Sequence, residues 1–192
     1  MKKRILILVM LCSLLAASVA LASSPYDLDR QFVRDVQNSV DVRMNWKRSV
    51  DQTGKFVTIT ETASVDGGKI EFTVIGYTDR AYQLCLTVPF HKLTMNRNAI
   101  FSNTLQIYNC ACYIALEEFP KNREPSEIFS AYDIQSAVKE GAPYSSWYLS
   151  DGWEWLNRES GYLRIRRSAS GTVYTVEAHL LNNGQMWFNC HF

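Results

Sequence analysis

The sequence has no marked excess of charge of either sign and only one long apolar run. Its 192 residues include 20 Lys and Arg against 19 Asp and Glu, and 47% of the residues are hydrophobic. Glycine and proline are scarce, with 9 and 5 copies. This composition excludes collagen-like, coiled-coil and long disordered architectures, and the length fits one compact domain.

The single apolar run lies at the N-terminus and is typical of a secretory signal peptide. Three basic residues precede the uncharged stretch 5–21, which ends in a small-x-small pattern just before Ser23. We therefore predict a signal peptide at 1–22, cleaved after Ala22, followed by a single β-rich domain at 23–192. An uncleaved anchor is the alternative, because the run is near the roughly 17 residues needed to span a bilayer.

Removal of the predicted signal peptide would leave 17 basic and 19 acidic residues. Binding to nucleic acid needs a concentrated basic face, and alternation along a strand would divide the only dense basic cluster, 164–167, between two faces. We therefore expect no nucleic-acid partner and no stable membrane insertion after cleavage. The expected location is the periplasm or the medium outside a bacterial cell.

Four cysteines remain in the predicted mature chain, namely Cys85, Cys110, Cys112 and Cys190. Export permits disulfides, although a domain of this length does not require them. A Cys110–Cys112 bond is the least favoured pairing, because alternate residues of a strand lie too far apart. A metal site that adds Cys190 and His191 to this pair lacks the usual ligand spacing, and we predict no metal and no cofactor.

The periodicity of the remaining sequence predicts mostly antiparallel β-structure. Helices are predicted at 25–36 and 126–139, and a turn at Gly67-Gly68 would set Val65 opposite Ile70. Alternation of apolar and polar residues predicts strands at 40–47, 57–65, 70–74, 82–88 and 104–116. The expected fold is an all-β antiparallel two-sheet sandwich with one or two short peripheral helices, and a closed barrel is the alternative.

The last third of the chain predicts three consecutive antiparallel strands that share an apolar face. A three-residue turn with Gly184 in the left-handed conformation would set Ala178 opposite Phe188. A four-residue loop at 168–171 would align the preceding strand, with Leu163 opposite Val176.

The opposite, polar face of these strands is the first candidate binding site. Tyr162 is expected opposite Glu177, and His179 opposite Trp187. Aromatic rings next to charged and amide groups can bind a polar ligand such as a sugar, whereas a solvated surface with an Arg164–Glu177 pair is the alternative. The predicted ligand-binding residues of this face are Tyr162, Arg164, Glu177, His179, Trp187 and Asn189.

An aromatic hairpin around Asp151-Gly152 is the second candidate surface. Its register would place Tyr148 opposite Trp155, with Trp153 on the same side. Such rings can stack on a sugar or anchor a protein interface. Burial of the same rings in the core is the alternative.

The sequence contains none of the common catalytic or phosphate-binding signatures. His179 and His191 would lie roughly 13 Å apart, too far to share a metal ion. The leading hypothesis is a non-catalytic binding module that contacts a glycan or an envelope polymer. The alternatives are a protein-binding inhibitor or assembly factor that uses the loops 89–103 and 117–124, and a hydrolase that uses Glu177 and His179.

Overall fold

The computed structural model of the chain describes residues 23–93, 101–117, 153–159, 161–169 and 172–192. The predicted signal peptide, the predicted helix at 126–139 and Tyr148 lie outside these ranges. The described elements are α1 (Pro25–Ser39), β1 (Lys47–Thr53), β2 (Phe56–Val65), β3 (Gly68–Tyr77), β4 (Arg80–Pro89), α2 (Asn103–Glu117), β5 (Trp153–Glu159), β6 (Tyr162–Ala169), β7 (Thr172–Leu180) and β8 (Gln185–His191).

The eight described strands form one open antiparallel sheet in the order β1-β2-β3-β4-β8-β7-β6-β5. The prediction of a mostly antiparallel β-structure is confirmed. The finer expectation of a two-sheet sandwich is not, because all the strands just named belong to the same sheet. The two helices are not peripheral, since both supply residues to the main hydrophobic core.

The described elements divide into two halves with the same order, a helix followed by four antiparallel strands. The halves meet where β4 pairs with β8, so the sheet order of the second half is the reverse of the first. The two helices also contact one another. No helix in the described ranges combines the length and the apolar character needed to cross a bilayer.

Helix α1 begins as predicted and covers the first half of the sheet. The Ser24 side chain accepts a hydrogen bond from the backbone N–H of Asp27, and Pro25 follows at the first helical position. The buried residues Leu28, Phe32 and Val36 follow the helical period. The Phe32 ring stacks on that of Phe72 in β3 with 3.6 Å between ring centroids, which fixes the helix over the sheet.

Helix α2 replaces the strand that we predicted at 104–116. Burial of most positions along the helix, including Ile107, Tyr108 and Ile114, leaves only a narrow stripe of less buried residues to show the helical period. The β-branched and aromatic content then resembles that of a strand. Its first turn is held by Asp66, which accepts hydrogen bonds from the backbone N–H and the hydroxyl of Thr104.

Two other strand predictions need correction. Residues 40–46 form irregular backbone, and β1 begins only at Lys47. The turn between β2 and β3 lies on Asp66 and Gly67, both with positive φ as a two-residue hairpin requires, so Ala63 rather than Val65 pairs with Ile70. The register is shifted by two residues, and the faces therefore stay as predicted.

The predicted β7–β8 hairpin is confirmed. Gly184 has φ of 78° and Ala178 pairs with Phe188. In the β6–β7 hairpin the register differs from the prediction by two residues. Leu163 pairs with Ala178 instead of Val176, because the turn between Ala169 and Thr172 is shorter than the predicted loop.

The stacking of α1 on the sheet predicts a large cost for Phe32→Ala. Phe32 is fully buried, so its truncation should lower the free energy of unfolding by about 3 to 5 kcal/mol. Phe56→Ala is the control, because Phe56 is 40% exposed and should lose about 1 kcal/mol or less. Urea denaturation measures both. Similar losses in the two variants would contradict the packing described here.

Candidate functional site

The face of the sheet that points away from the helices carries the polar cluster predicted from the sequence. We call it the polar face and define it by Tyr162, Arg164, Glu177, His179, Trp187, Asn189 and His191, together with Gln83 and Cys85 from β4. The β7–β8 register confirms that His179 lies opposite Trp187, and it pairs Glu177 with Asn189.

Asn189 is the centre of a hydrogen-bond network on this face. Its amide nitrogen donates to Glu177 Oε1 at 2.7 Å and to His191 Nε2 at 2.9 Å. Its oxygen accepts from Gln83 Nε2 at 3.0 Å and from the Cys85 thiol at 3.1 Å. The side chain is buried, and these four bonds use its full hydrogen-bonding capacity.

Glu177 receives donors from both neighbouring strands. The Tyr162 hydroxyl donates to Glu177 Oε2 at 2.9 Å, and Arg164 Nε lies 3.8 Å from the same oxygen. The prediction that Tyr162 lies opposite Glu177 is wrong. Tyr162 pairs with His179, and Arg164 pairs directly with Glu177. The shorter β6–β7 turn causes this shift, and Tyr162 still reaches Glu177 along the diagonal.

The pKa shifts of the groups in this network agree with the hydrogen bonds that they make. Burial lowers the pKa of His191, although the nearby Glu177 charge opposes the change, and a neutral ring can accept from Asn189. Burial and the bond to Glu177 raise the pKa of Tyr162, so its hydroxyl stays protonated and donates. Burial also raises the pKa of the Cys85 thiol to about 11, which makes it a poor nucleophile at neutral pH.

Three of the predicted residues leave part of their side chains accessible around this network. Arg164 is 44% exposed, His179 is exposed and Trp187 is half-buried. The Tyr162 and His179 rings lie 5.2 Å apart between centroids. The polar face therefore consists of a buried hydrogen-bonded centre with an accessible guanidinium, imidazole and indole beside it.

Strand pairing does not align the second predicted surface, the aromatic hairpin, with the residues of the polar face. Trp153 and Trp155 lie on the outermost strand β5, and Trp155 pairs with Ile165, which pairs with Val176 rather than with Glu177. The side chains of both tryptophans lie outside the described part of the structure, as does all of Tyr148.

Glu177 and His179, the two residues of the hydrolase hypothesis, both lie on β7 in the polar face. Both Glu177 oxygens accept hydrogen bonds from other groups, and no hydrogen bond joins Glu177 to His179 within the described ranges. The described residues also contain no group of three potential metal ligands. The four cysteines are all unpaired in the structure, and burial raises the pKa of Cys112 to about 12.

A second polar region, which the sequence analysis missed, lies on the helix side of the sheet. A cavity of about 930 Å³ opens between α1, the irregular segment 40–46 and β1. We call it the α1 cavity. Its lining includes Tyr26, Asp29, Trp46, Arg48 and Glu61.

Two carboxylates are buried in the α1 cavity with one guanidinium between them. The side chains of Asp29 and Glu61 are only 3% and 4% exposed. Arg48 donates from Nε and Nη2 to Asp29 Oδ2, both at 2.9 Å, and its Nε lies 3.4 Å from Glu61 Oε1. Asp29 Oδ1, Glu61 Oε2 and Trp46 Nε1 have no hydrogen-bond partner in the described part of the chain.

The position of Glu61 makes it a titrating group near neutral pH. Burial raises the pKa of Glu61 to about 7, the adjacent Asp29 carboxylate adds to the increase, and Arg48 opposes it. A proton on Glu61 is shared with Asp29, which also favours the neutral form. Buried carboxylates of this kind are candidates for functional sites.

The sequence contains a signal for this pair. Glu61 has the same parity in β2 as the apolar residues Val57, Ile59 and Val65, so alternation places a carboxylate on the buried face. Asp29 lies three residues before Phe32, on the buried side of α1. A charged residue within an otherwise apolar face is the pattern that identifies such a site.

Comparisons of the chain with protein-family models, with curated proteins and with solved structures found no significant match.

The Asn189 network predicts a substantial loss of stability for Asn189→Ala. The substitution removes the bonds that the Asn189 amide makes with Glu177, His191 and Gln83 and leaves a buried space, which should cost about 2 to 4 kcal/mol. Asn182→Ala, in the exposed β7–β8 turn, is the matched control and should cost less than about 0.5 kcal/mol. Urea denaturation compares the two. Equal stabilities would show that the network is not closed as described.

The raised pKa of Glu61 predicts that this residue destabilises the fold as pH rises. The native state binds the Glu61 proton more tightly than the unfolded state, so the stability contribution falls between about pH 4.5 and pH 7. Glu61→Gln should therefore match the parent near pH 5 and exceed it near pH 8 by about 2 kcal/mol. Glu71→Gln, on the neighbouring strand, should follow the parent at both values. Denaturation at each pH tests this, and parallel curves for Glu61→Gln and parent would refute it.

Proposed function

We propose that the protein is a non-catalytic binding domain that contacts a glycan through the polar face. The observation that supports this best is the combination of a rigid carboxylate–amide centre with accessible groups of three chemical kinds. Glu177 and Asn189 are held by hydrogen bonds on several sides. Trp187, His179 and Arg164 then surround them with one indole, one imidazole and one guanidinium.

This arrangement suits the chemistry of sugar recognition. The accessible part of an indole can pack on the apolar face of a pyranose ring. Neighbouring imidazole and guanidinium groups can bond the hydroxyls, and their positions are set by strands rather than by loops. A preformed site of this kind loses little conformational entropy when it binds.

The proposed setting is the bacterial envelope or the extracellular space, and it rests on the N-terminal sequence alone. Residues 1–22 have the basic start, the apolar run and the small residues of a signal peptide. In that setting, envelope glycans and envelope proteins are the available polymers. The loops 89–103 and 117–124, which a protein partner would contact under the alternative hypothesis, lie partly outside the described ranges, at 94–100 and 118–124.

Trp187→Ala is the sharpest test of the proposed glycan contact. Retention of the parent protein on insoluble envelope polysaccharides, and its titration with their soluble oligosaccharides, would be measured by pull-down and calorimetry. Loss of the indole should weaken binding at least about tenfold. Tyr113→Ala is the control, because Tyr113 is an exposed aromatic on α2, and it should bind like the parent.

Two outcomes would count against the proposal. A parent protein that binds no carbohydrate would exclude a glycan ligand and would favour a protein partner. Unchanged binding by a folded Trp187→Ala variant would place any glycan contact away from the polar face.

A further inference from the structure

The α1 cavity contains buried hydrogen-bonding groups for which the described residues supply no partner other than the proton that Glu61 shares with Asp29. Asp29 Oδ1 and Glu61 Oε2 are acceptors on side chains that are more than nine-tenths buried, and Trp46 Nε1 is an unpaired donor on the same cavity lining. A buried polar atom without a hydrogen-bond partner lowers the stability of the fold unless a water molecule or a ligand supplies that partner. Asp29, Glu61 and Trp46 all lie on the lining of a cavity with space for a ligand, and their unpaired atoms are the candidates to bind it.

The charge at the base of the cavity selects the sign of the ligand group. Two carboxylates share a single guanidinium, Arg48, so the base carries one net negative charge when Glu61 is ionised. Without a ligand, a proton on Glu61 removes that charge. A cationic donor could take the place of the proton, and it would meet the two free carboxylate oxygens at once.

The walls of the cavity include two aromatic residues, Tyr26 and Trp46. The Arg48 guanidinium lies 5.9 Å from the centroid of the Tyr26 ring, and Trp46 lies on the lining as well. Aromatic rings near a carboxylate pair stabilise an ammonium group. A metal ion fits less well, because the described residues bring no third acidic or imidazole ligand to the pair.

The mouth of the cavity is lined by positively charged side chains, whereas its base carries the two carboxylates. Arg30, Arg34 and Arg43 lie on the lining and are exposed. Arg30 and Arg34 pair with their neighbours on α1, Asp27 and Asp35, whereas Arg43 makes no ion pair with any residue that the structure describes. A ligand whose ammonium reaches the base therefore places its other end near a guanidinium.

We propose that the α1 cavity binds a small zwitterion, with its primary ammonium on Asp29 and Glu61 and its anionic group at the arginine-lined mouth. This site is separate from the polar face, and it does not depend on the glycan proposal. Amino acids and short peptides have this chemistry. The charged groups that face the ammonium are Asp29 from α1, Arg48 from β1 and Glu61 from β2.

The test titrates the full mature chain with ω-amino carboxylic acids of increasing length, from glycine to 6-aminohexanoate. The readout is the NMR signal of the Trp46 indole N–H, assigned with Trp46→Phe. At least one probe should shift this signal at millimolar concentration. Its N-acetylated form, which lacks the ammonium, should not shift it, and its carboxamide should bind about tenfold more weakly.

A second measurement follows the proton that the ammonium displaces. Calorimetry near pH 6 in buffers of different ionisation enthalpy should show release of up to one proton, and near pH 9 it should show none. Glu61→Gln should abolish this release and weaken binding at least about tenfold. Glu71→Gln, on the neighbouring strand and outside the cavity lining, is the matched control and should bind the probe like the parent.

Three results would overturn the proposal. The first is no shift of the Trp46 signal with any member of the series. The second is equal binding of the N-acetylated probe, which would indicate an anion site at the mouth alone. The third is parent-like affinity in a folded Glu61→Gln variant.

Discussion

The pairing of β4 with β8 joins the two halves of the chain into one sheet, and the hydrogen-bond network of the polar face depends on it. It brings together residues 106 positions apart in sequence, Gln83 and Asn189, which then share a hydrogen bond. On the helix side, the same register sets Leu84 opposite Cys190 and Leu86 opposite Phe188 in the core. A slip of one residue would exchange these faces and would place Asn189 among apolar side chains.

The two polar regions differ in how completely their groups are satisfied. On the polar face, Asn189 uses all its hydrogen-bonding capacity, and Glu177 accepts from two strands. Such a closed network is rigid and stabilises the sheet. In the α1 cavity, Asp29 and Glu61 keep free oxygens, and the pKa of Glu61 rises to about 7. The first region therefore offers a preformed surface, whereas the second stores an unfavourable charge that a cationic ligand would relieve.

The sequence predicts the local elements better than the architecture. Short turns and period-two runs identify β2, β4 and the β7–β8 hairpin, and Ser24-Pro25 identifies the start of α1, because these signals come from neighbouring residues. The set of residues on the polar face also follows from the sequence, because a register error of two residues leaves each side chain on the same face of the sheet. Tyr162 therefore faces the expected side although its partner differs.

Long-range features have no comparable local signal. Helix α2 is buried on most sides, so the helical spacing of its apolar residues is weak in the sequence. Without this helix, the predicted fold became a two-sheet sandwich instead of one sheet covered by helices. The pairing of β4 with β8, and with it the roles of Gln83 and Cys85, requires knowledge of contacts between distant segments. The α1 cavity was predictable in part, because Glu61 interrupts an apolar face, but its partner Arg48 comes from a strand with no buried residue.

The claim that one sheet unites the two halves is tested most directly by native-state hydrogen exchange of the backbone amides. The account predicts that β4 and β8 amides exchange only through global unfolding, with the free energy measured by denaturant, while those of the edge strand β1 exchange sooner. It would be contradicted if the β1–β4 and β5–β8 halves exchanged with separate free energies, or if the β4 and β8 amides were no better protected than those of β1.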